Sequence, residues 1–230
     1  MTVWAVVVAA GSGTRFGGPK QFATLLGKPM VAWSVEAARA ACDGVVVVVP
    51  ADGADAAGAV DGADVVVAGG ATRSESVRAG LAAVPAGASV IAVHDAARPL
   101  ATSALFDAVV DVVHNAGAVG AVPGVAVHDT VKRVAGGVVL ATVDRSDLVA
   151  VQTPQAFTAD VLRLAHASGG GATDDAALVE ALGLVVRVVP GEPTNLKVTT
   201  AVDLHVAEVV LQGRLGRMPG GSASGTARLP

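Results

Sequence analysis

Residues 3–22, VWAVVVAAGSGTRFGGPKQF, decide the reading of this chain. Trp4 to Ala10 is a continuous apolar run rich in β-branched residues, the composition of a parallel strand buried on both faces. It breaks into a glycine-rich turn that carries Arg15 and Lys20. Open α/β sheets bind ligands just beyond the C-terminal ends of their strands, which is where this turn falls. Gly11, Gly13, Gly17 and Gly18 allow positive φ and let backbone N–H groups come close to a phosphate chain. The two cations add positive charge at the same point, and together these features predict a grip for a triphosphate.

Spacing excludes the two commoner glycine loops. A dinucleotide fingerprint needs G-x-G-x-x-G, but Gly11, Gly13 and Gly17 place the third glycine one residue late. The acid expected at the end of the second strand is also missing, because that strand ends in Pro50. A Walker loop needs G-K-[ST]; Gly27-Lys28 is followed by Pro29, with Phe22 at the first glycine position. A plain strand-to-helix turn would account for the glycines but not for Arg15 and Lys20.

At 230 residues with 52% hydrophobic and 3% aromatic content, the chain can build one α/β domain with a Val/Leu/Ala core. A net charge of −4 without a dense basic stripe argues against a nucleic-acid partner. An anion site must then be a local cluster of cations. Cys42 is the only cysteine, which leaves no disulfide framework or cysteine metal site; it reads as a small core residue. The N-terminus enters a strand with no charged leader, and no apolar run reaches 18 residues. The expectation is a cytoplasmic protein without a membrane partner.

Outward from the loop, strands are predicted at Val45–Val49, Val65–Val67, Val90–Val93, Ala118–Val122, Leu148–Gln152 and Val185–Val189. Helices are predicted at Pro29–Ala41, 74–84, Thr102–Asn115, Ala159–Ala167, Thr173–Leu182 and Thr200–Leu211, with a weak helix and loops in 51–63. The alternation gives a three-layer α/β/α, Rossmann-like, mostly parallel sheet. Val125–Val134 and Val138–Val143 flank Gly136-Gly137, a hairpin signal, so a two-stranded β-arm should protrude over about 124–145. Such a ribbon is marginal alone, which favours packing on a second copy of the chain. One domain is expected over 1–212; residues 213–230 lack periodicity and read as a disordered tail.

Polar clusters fall at the predicted strand ends. Gly69-Gly70-Ala71-Thr72-Arg73-Ser74-Glu75-Ser76 opens a helix whose start can hold an anion or a base edge, although an ordinary capped glycine turn explains it equally well. His94-Asp95-Ala96-Ala97-Arg98-Pro99 places Asp95 in the crevice, as a contact for a metal, a ribose or an acceptor. His94 reads as a packed strand-end histidine. Arg98 either binds a phosphate or pairs with Asp95. Thr173-Asp174-Asp175 suits a helix start, with Thr173 as N-cap and the acids on the helix dipole.

The loop AAGSGTRFGGPKQF resembles the signature of sugar-phosphate nucleotidyltransferases, and its P-K-Q form resembles the 2-C-methyl-D-erythritol 4-phosphate cytidylyltransferases. The same family is matched, in order, by G-G-x-x-R-x-x-S-V (69–77), H-D-A-A-R-P (94–99), D-T-V-K (129–132), Asp144-Arg145, Q-T-P-Q-x-F (152–157), T-D-D-A (173–176) and N-L-K-V-T (195–199), over about residues 3–211. The resemblance implies transfer of CMP from CTP to 2-C-methyl-D-erythritol 4-phosphate, with release of pyrophosphate, by a homodimer. Arg15 and Lys20 would stabilise the triphosphate, while Arg145 and Lys197, with Thr130, would hold the acceptor's phosphate. Ala9, Ala10, Gly11, Gly13, Gly70, Ser76, Asp95, Ala96, Arg98 and Thr173 would complete the ligand site. Gly70 and Ser76 would face the cytosine, and Arg73 would organise the turn. Mg²⁺ would be shared between the CTP phosphates and Asp95. Ribitol-5-phosphate cytidylyltransferases share the loop and H-D-A-A-R-P, and remain the alternative; an inactive nucleotide-binding scaffold should have lost Arg15, Lys20 or Lys197.

Overall fold

A computed structural model describes residues 2–11, 13, 16, 18, 20–51, 60–167 and 171–216. The valine runs form the centre of the sheet. Strands β1 (Val3–Val8), β4 (Gly44–Val49), β5 (Val65–Ala68) and β6 (Val90–Asp95) run parallel, and every residue of β4 and β6 is buried. Between β1 and β4 lie two short strands, β2 (Thr24–Leu25) and β3 (Lys28–Pro29), paired with each other. The sheet continues through β7 (Gly120–Ala126), β10 (Val149–Val151), β11 (Gln155–Thr158) and β12 (Val186–Pro190) in the order β10-β7-β11-β6-β1-β4-β5, with β12 parallel to β7.

Alternation along the strands sends side chains to two opposite cores. Ala5, Val7, Val45, Val47 and Val49 meet Val31, Val35 and Ala38 of α1 (Met30–Ala41) and Phe106 and Val109 of α3 (Ser103–His114). Val6, Val46 and Val48 meet Val77 and Leu81 of α2 (Arg73–Ala83), Leu162 of α4 (Ala159–Ala167) and Val179 of α5 (Asp175–Glu180). That is the expected three-layer α/β/α arrangement. A smaller third cluster seats α6 (Ala201–Leu215) through Ala207 and Leu211 on Leu25, Met30, Leu100 and Val198.

The arm is present but shorter than expected. β8 (Val131–Ala135) and β9 (Val138–Val143) form a separate two-stranded sheet, turned by Gly136 at φ 54 and Gly137 at φ 78. Two successive positive φ values are what a tight primed hairpin turn demands, hence the glycine pair. Residues 124–126 instead stay in the main sheet as the end of β7, held by β10 and β12. Strand β11 was not anticipated: it is four residues long, begins just after Pro154 and has polar ends, yet it fills the space between β6 and β7 antiparallel to both. Helix α6 runs past Leu211 to Leu215. Residues 52–59, within the expected weak helix, and 217–230, most of the expected tail, lie outside the described residues.

Candidate active site

A cavity of about 540 Å³ opens where β1 and β6 end, at the C-terminal edge of the parallel strands. Of the positions expected from the sequence, Ala9, Ala10, Gly11, Gly13, Lys20, Gly70, Ser76, Asp95, Ala96 and Lys197 line it. Phe16, Gln21, Thr72, Arg73 and Thr199 line it as well.

The loop after β1 is turned at Gly13, whose φ is +64; a Cβ there would lie 1.8 Å from the carbonyl oxygen of Gly18. Only glycine meets both conditions. Lys20 opens a 3-10 turn, Lys20–Phe22, and its Nζ donates to the Val198 carbonyl at 2.7 Å. Val198 in turn donates its N–H to Ala97 O at 2.7 Å, so the segment before α6 is tied to both the loop and the end of β6. Arg15 lies outside the described residues.

Helix α2 points its N-terminus at the cavity. Thr72 is the N-cap, accepting from Glu75 N at 3.1 Å, while Glu75 Oε2 accepts from Thr72 N at 2.9 Å. This reciprocal box fixes the end of the helix and leaves its positive pole toward the cleft. Gly70 is required by the same box: a Cβ there would sit 2.3 Å from Glu75 Cβ. Ser76 Oγ donates to Thr72 O at 3.0 Å and accepts from Gly70 N at 3.2 Å, so the residue expected at the base also holds the turn together.

Asp95 is the only carboxylate among the described lining residues, and it is paired twice. Arg73 Nε donates to Oδ1 at 3.1 Å and Lys197 Nζ to Oδ2 at 2.7 Å. Burial pushes the Asp95 carboxyl up, but Arg73 and then Lys197 outweigh it and hold the group well below the ordinary carboxylate range. It stays ionised and is no proton acceptor at neutral pH. Arg73 also donates through Nη2 to Asp175 Oδ2 at 2.8 Å. Burial acts to lower the Arg73 value, and Asp175 followed by Asp95 overcomes it, so the guanidinium stays charged.

His94 packs as expected. It is fully buried, and burial drops its pKa to about 4 despite Asp95 nearby. The neutral ring must then donate from Nε2 to Arg98 O at 3.2 Å and accept at Nδ1 from Thr153 Oγ1 at 3.1 Å. Thr153 Oγ1 accepts from Asp95 N at 3.1 Å, which locks the backbone of the carboxylate.

Three expectations are corrected. Arg98 does not pair with Asp95 and does not line the cavity; its guanidinium donates to Asn195 O at 2.8 Å and Val151 O at 3.4 Å, bracing the end of β10 and the segment before α6. Those carbonyls come from distant segments, so spacing gave no sign of them. Thr173 is exposed and lies off the cavity, and the N-cap of α5 is Asp174, whose carboxylate accepts from Ala177 N at 3.0 Å. Asp174 is the better acceptor and sits one residue closer to the helix. Asp175, expected to serve the helix dipole, is buried and turned to Arg73 and His166 instead. Thr130 and Arg145 lie exposed at the base of the arm, away from the cavity of their own chain, with Arg145 Nη1 3.4 Å from Val127 O.

Lys20, Arg73 and Lys197 thus line one cleft of an otherwise acidic chain, two of them paired with Asp95, a focused anion site. Among the described residues no group of three His, Cys, Asp or Glu side chains converges to cage a metal. No described helix is long and apolar enough to cross a membrane.

Comparison with known proteins agrees with this geometry. The sequence profile of the IspD family, 2-C-methyl-D-erythritol 4-phosphate cytidylyltransferase, matches residues 3–213. A protein of that name from Nocardia farcinica is 49% identical over 221 residues, covering 93% of this chain and 95% of its own length. One from Synechococcus elongatus is 44% identical over 225 residues, covering 91% and 96%. The crystal structure of the enzyme from Thermus thermophilus superposes with a TM-score of 0.76 at 35% identity, covering 90% of this chain and 98% of that one. The chain therefore belongs to the 2-C-methyl-D-erythritol 4-phosphate cytidylyltransferase family.

Proposed function

We propose that this cleft transfers CMP from CTP to 2-C-methyl-D-erythritol 4-phosphate, releasing pyrophosphate and forming 4-diphosphocytidyl-2-C-methyl-D-erythritol for isoprenoid synthesis. The observation that carries the reading is the convergence of Lys20, Arg73 and Lys197 on one strand-end cavity whose single described carboxylate is already paired. A phosphate oxygen of the acceptor attacks the α-phosphorus of CTP in line. The new O–Pα bond forms as the bond from Pα to the bridging oxygen of pyrophosphate breaks. The nucleophile is already an anion and needs no base, which suits a site whose Asp95 is committed to two cations. The barrier is charge repulsion and charge development, so positioned cations do the work.

In this reading Arg15 and Lys20 hold the triphosphate. Ala9, Ala10, Gly11, Gly13 and Ala96 pack against the nucleotide, while Gly70 and Ser76 face the cytosine. Each oxygen of Asp95 accepts one hydrogen bond and keeps a lone pair, so a hard Mg²⁺ taking its other ligands from CTP and water fits this donor set. Such an ion supplies positive charge against the phosphoryl oxygens. Lys197 moves from Asp95 to the acceptor's phosphate. Thr130 and Arg145 reach that phosphate from the arm of a second copy, since they stand off the cavity of their own chain. Val134, Val138, Val139 and Leu140, each more than half exposed, give the arm an apolar surface suited to a homodimer. CTP and Mg²⁺ are cytoplasmic pools, which supports a cytoplasmic enzyme.

The test is pyrophosphate release from CTP with 2-C-methyl-D-erythritol 4-phosphate or with ribitol 5-phosphate. Release with the first acceptor is the expected result. Release with ribitol 5-phosphate alone, or CTP binding without release from either, would overturn the assignment.

A further inference from the structure

The side-on edge of an arginine, Nε–H together with one Nη–H, matches both oxygens of a single carboxylate in a two-pronged pair. In this chain that edge is split between two acids. Nε of Arg73 donates to Asp95 Oδ1 at 3.1 Å, and Nη2 donates to Asp175 Oδ2 at 2.8 Å. The Asp175 side chain is 1% exposed, against 12% for Asp95, so the deeper acid holds the shorter bond. Its second oxygen accepts from His166 Nε2 at 2.9 Å, and the His166 side chain is itself 2% exposed. Asp174 caps α5, which leaves the Asp175 carboxylate uncommitted to the helix. Among the described residues Nδ1 of His166 is buried without a partner, so the ring makes its one side-chain hydrogen bond to Asp175. A buried polar atom without a partner is costly, and that cost is borne here by a ring whose polar contact serves the acid alone.

We propose that Asp175, braced by His166, is a positioning residue for the cleft: by occupying Nη2 of Arg73 it keeps the guanidinium from closing on both oxygens of Asp95. Oδ2 of Asp95 then stays on the open side, where Lys197 meets it at 2.7 Å in the structure and where the proposed function seats the substrate. Without Asp175, Arg73 forks both oxygens of Asp95, displaces Lys197 and withdraws the carboxylate from the cleft. The proposal rests on the functional reading above, because its readout is the turnover of CTP.

The whole chain is assayed for pyrophosphate release with CTP and 2-C-methyl-D-erythritol 4-phosphate, with a melting curve taken for every variant. Asp175→Asn should lower kcat by about tenfold to a hundredfold while KM for CTP moves by less than about threefold. Arg73→Lys is the diagnostic second change, because a single ammonium cannot fork two oxygens. The Asp175→Asn/Arg73→Lys enzyme should regain at least about fivefold in kcat over Asp175→Asn, whereas a purely structural brace would make the two losses add. If Asp175→Asn does not fold, His166→Leu takes its place: it keeps the acid, removes its anchor and should lose at least about threefold, again relieved by Arg73→Lys. Turnover of the single variant within about twofold of wild type, or no relief by Arg73→Lys, overturns the proposal. An inactive wild-type chain would instead refute the functional reading, so the two failures are distinguishable.

Discussion

Replacing Lys20 with alanine separates two jobs of one ammonium, one that the structure shows and one that the proposed function assigns to it. The first is the bond to Val198 O at 2.7 Å, which ties the loop to the segment before α6. A hydrogen bond from a charged donor is worth about 1.5–3 kcal/mol, and this share should appear as a lower melting temperature. The second job is electrostatic. A unit charge about 4 Å from one phosphoryl oxygen contributes about 4 kcal/mol at an effective dielectric of 20. Lys20 is half-buried at the mouth of the cleft, so water screens part of that. The loss of one oxyanion donor, about 10²–10³ in turnover, is therefore the better guide to the effect of Lys20→Ala. The assay is pyrophosphate release at saturating CTP and acceptor, with KM for CTP measured beside it. Lys20→Arg keeps the charge and should recover part of kcat, while its melting temperature need not follow. If Lys20→Ala turns over within about threefold of wild type at unchanged melting temperature, the cation is not where charge develops.

The buried histidine makes a pH prediction. His94 is held neutral, at about 4 against an ordinary 6.5. The unfolded chain therefore takes up a proton that the folded chain resists. The stabilisation is complete above pH 6.5 and is lost as pH falls toward 4. The loss should be on the order of 3 kcal/mol across that window, and His94→Gln should flatten this part of the curve in urea melts; an unchanged slope would count against it. For the arm, Leu140→Asp puts a charge on an exposed apolar strand. On the proposed homodimer it should give a monomer by light scattering and cut turnover by at least about tenfold, since that reading takes Arg145 for the acceptor's phosphate from the second copy. A fully active monomer would show that each cleft is complete on its own.

Much of this molecule was legible along the chain. The valine runs could only be buried strands, and their alternation already placed a core on each face. Gly13 and Asp95 were marked by their neighbours, because an apolar run followed by glycines and charges marks a strand end on any open α/β sheet, whereas Gly70 and Lys197 drew notice as site residues only through the family resemblance of their motifs. The Gly136-Gly137 turn announced the arm in the same local way. Other features depended on partners that sequence spacing cannot pair. Arg73 reaches Asp175 across 102 residues, and Lys197 reaches Asp95 across 102. Arg98 was drawn to the Asn195 carbonyl, 97 residues away, and not to the nearby Asp95. Strand β11 exists because β6 and β7 leave a gap that an unremarkable tetrapeptide can fill. Periodicity and turn chemistry are local properties, and they determined the layers and the edge where the chemistry sits. Which oxygen of which acid each cation holds follows from how the strand ends converge, and only the folded chain decides that.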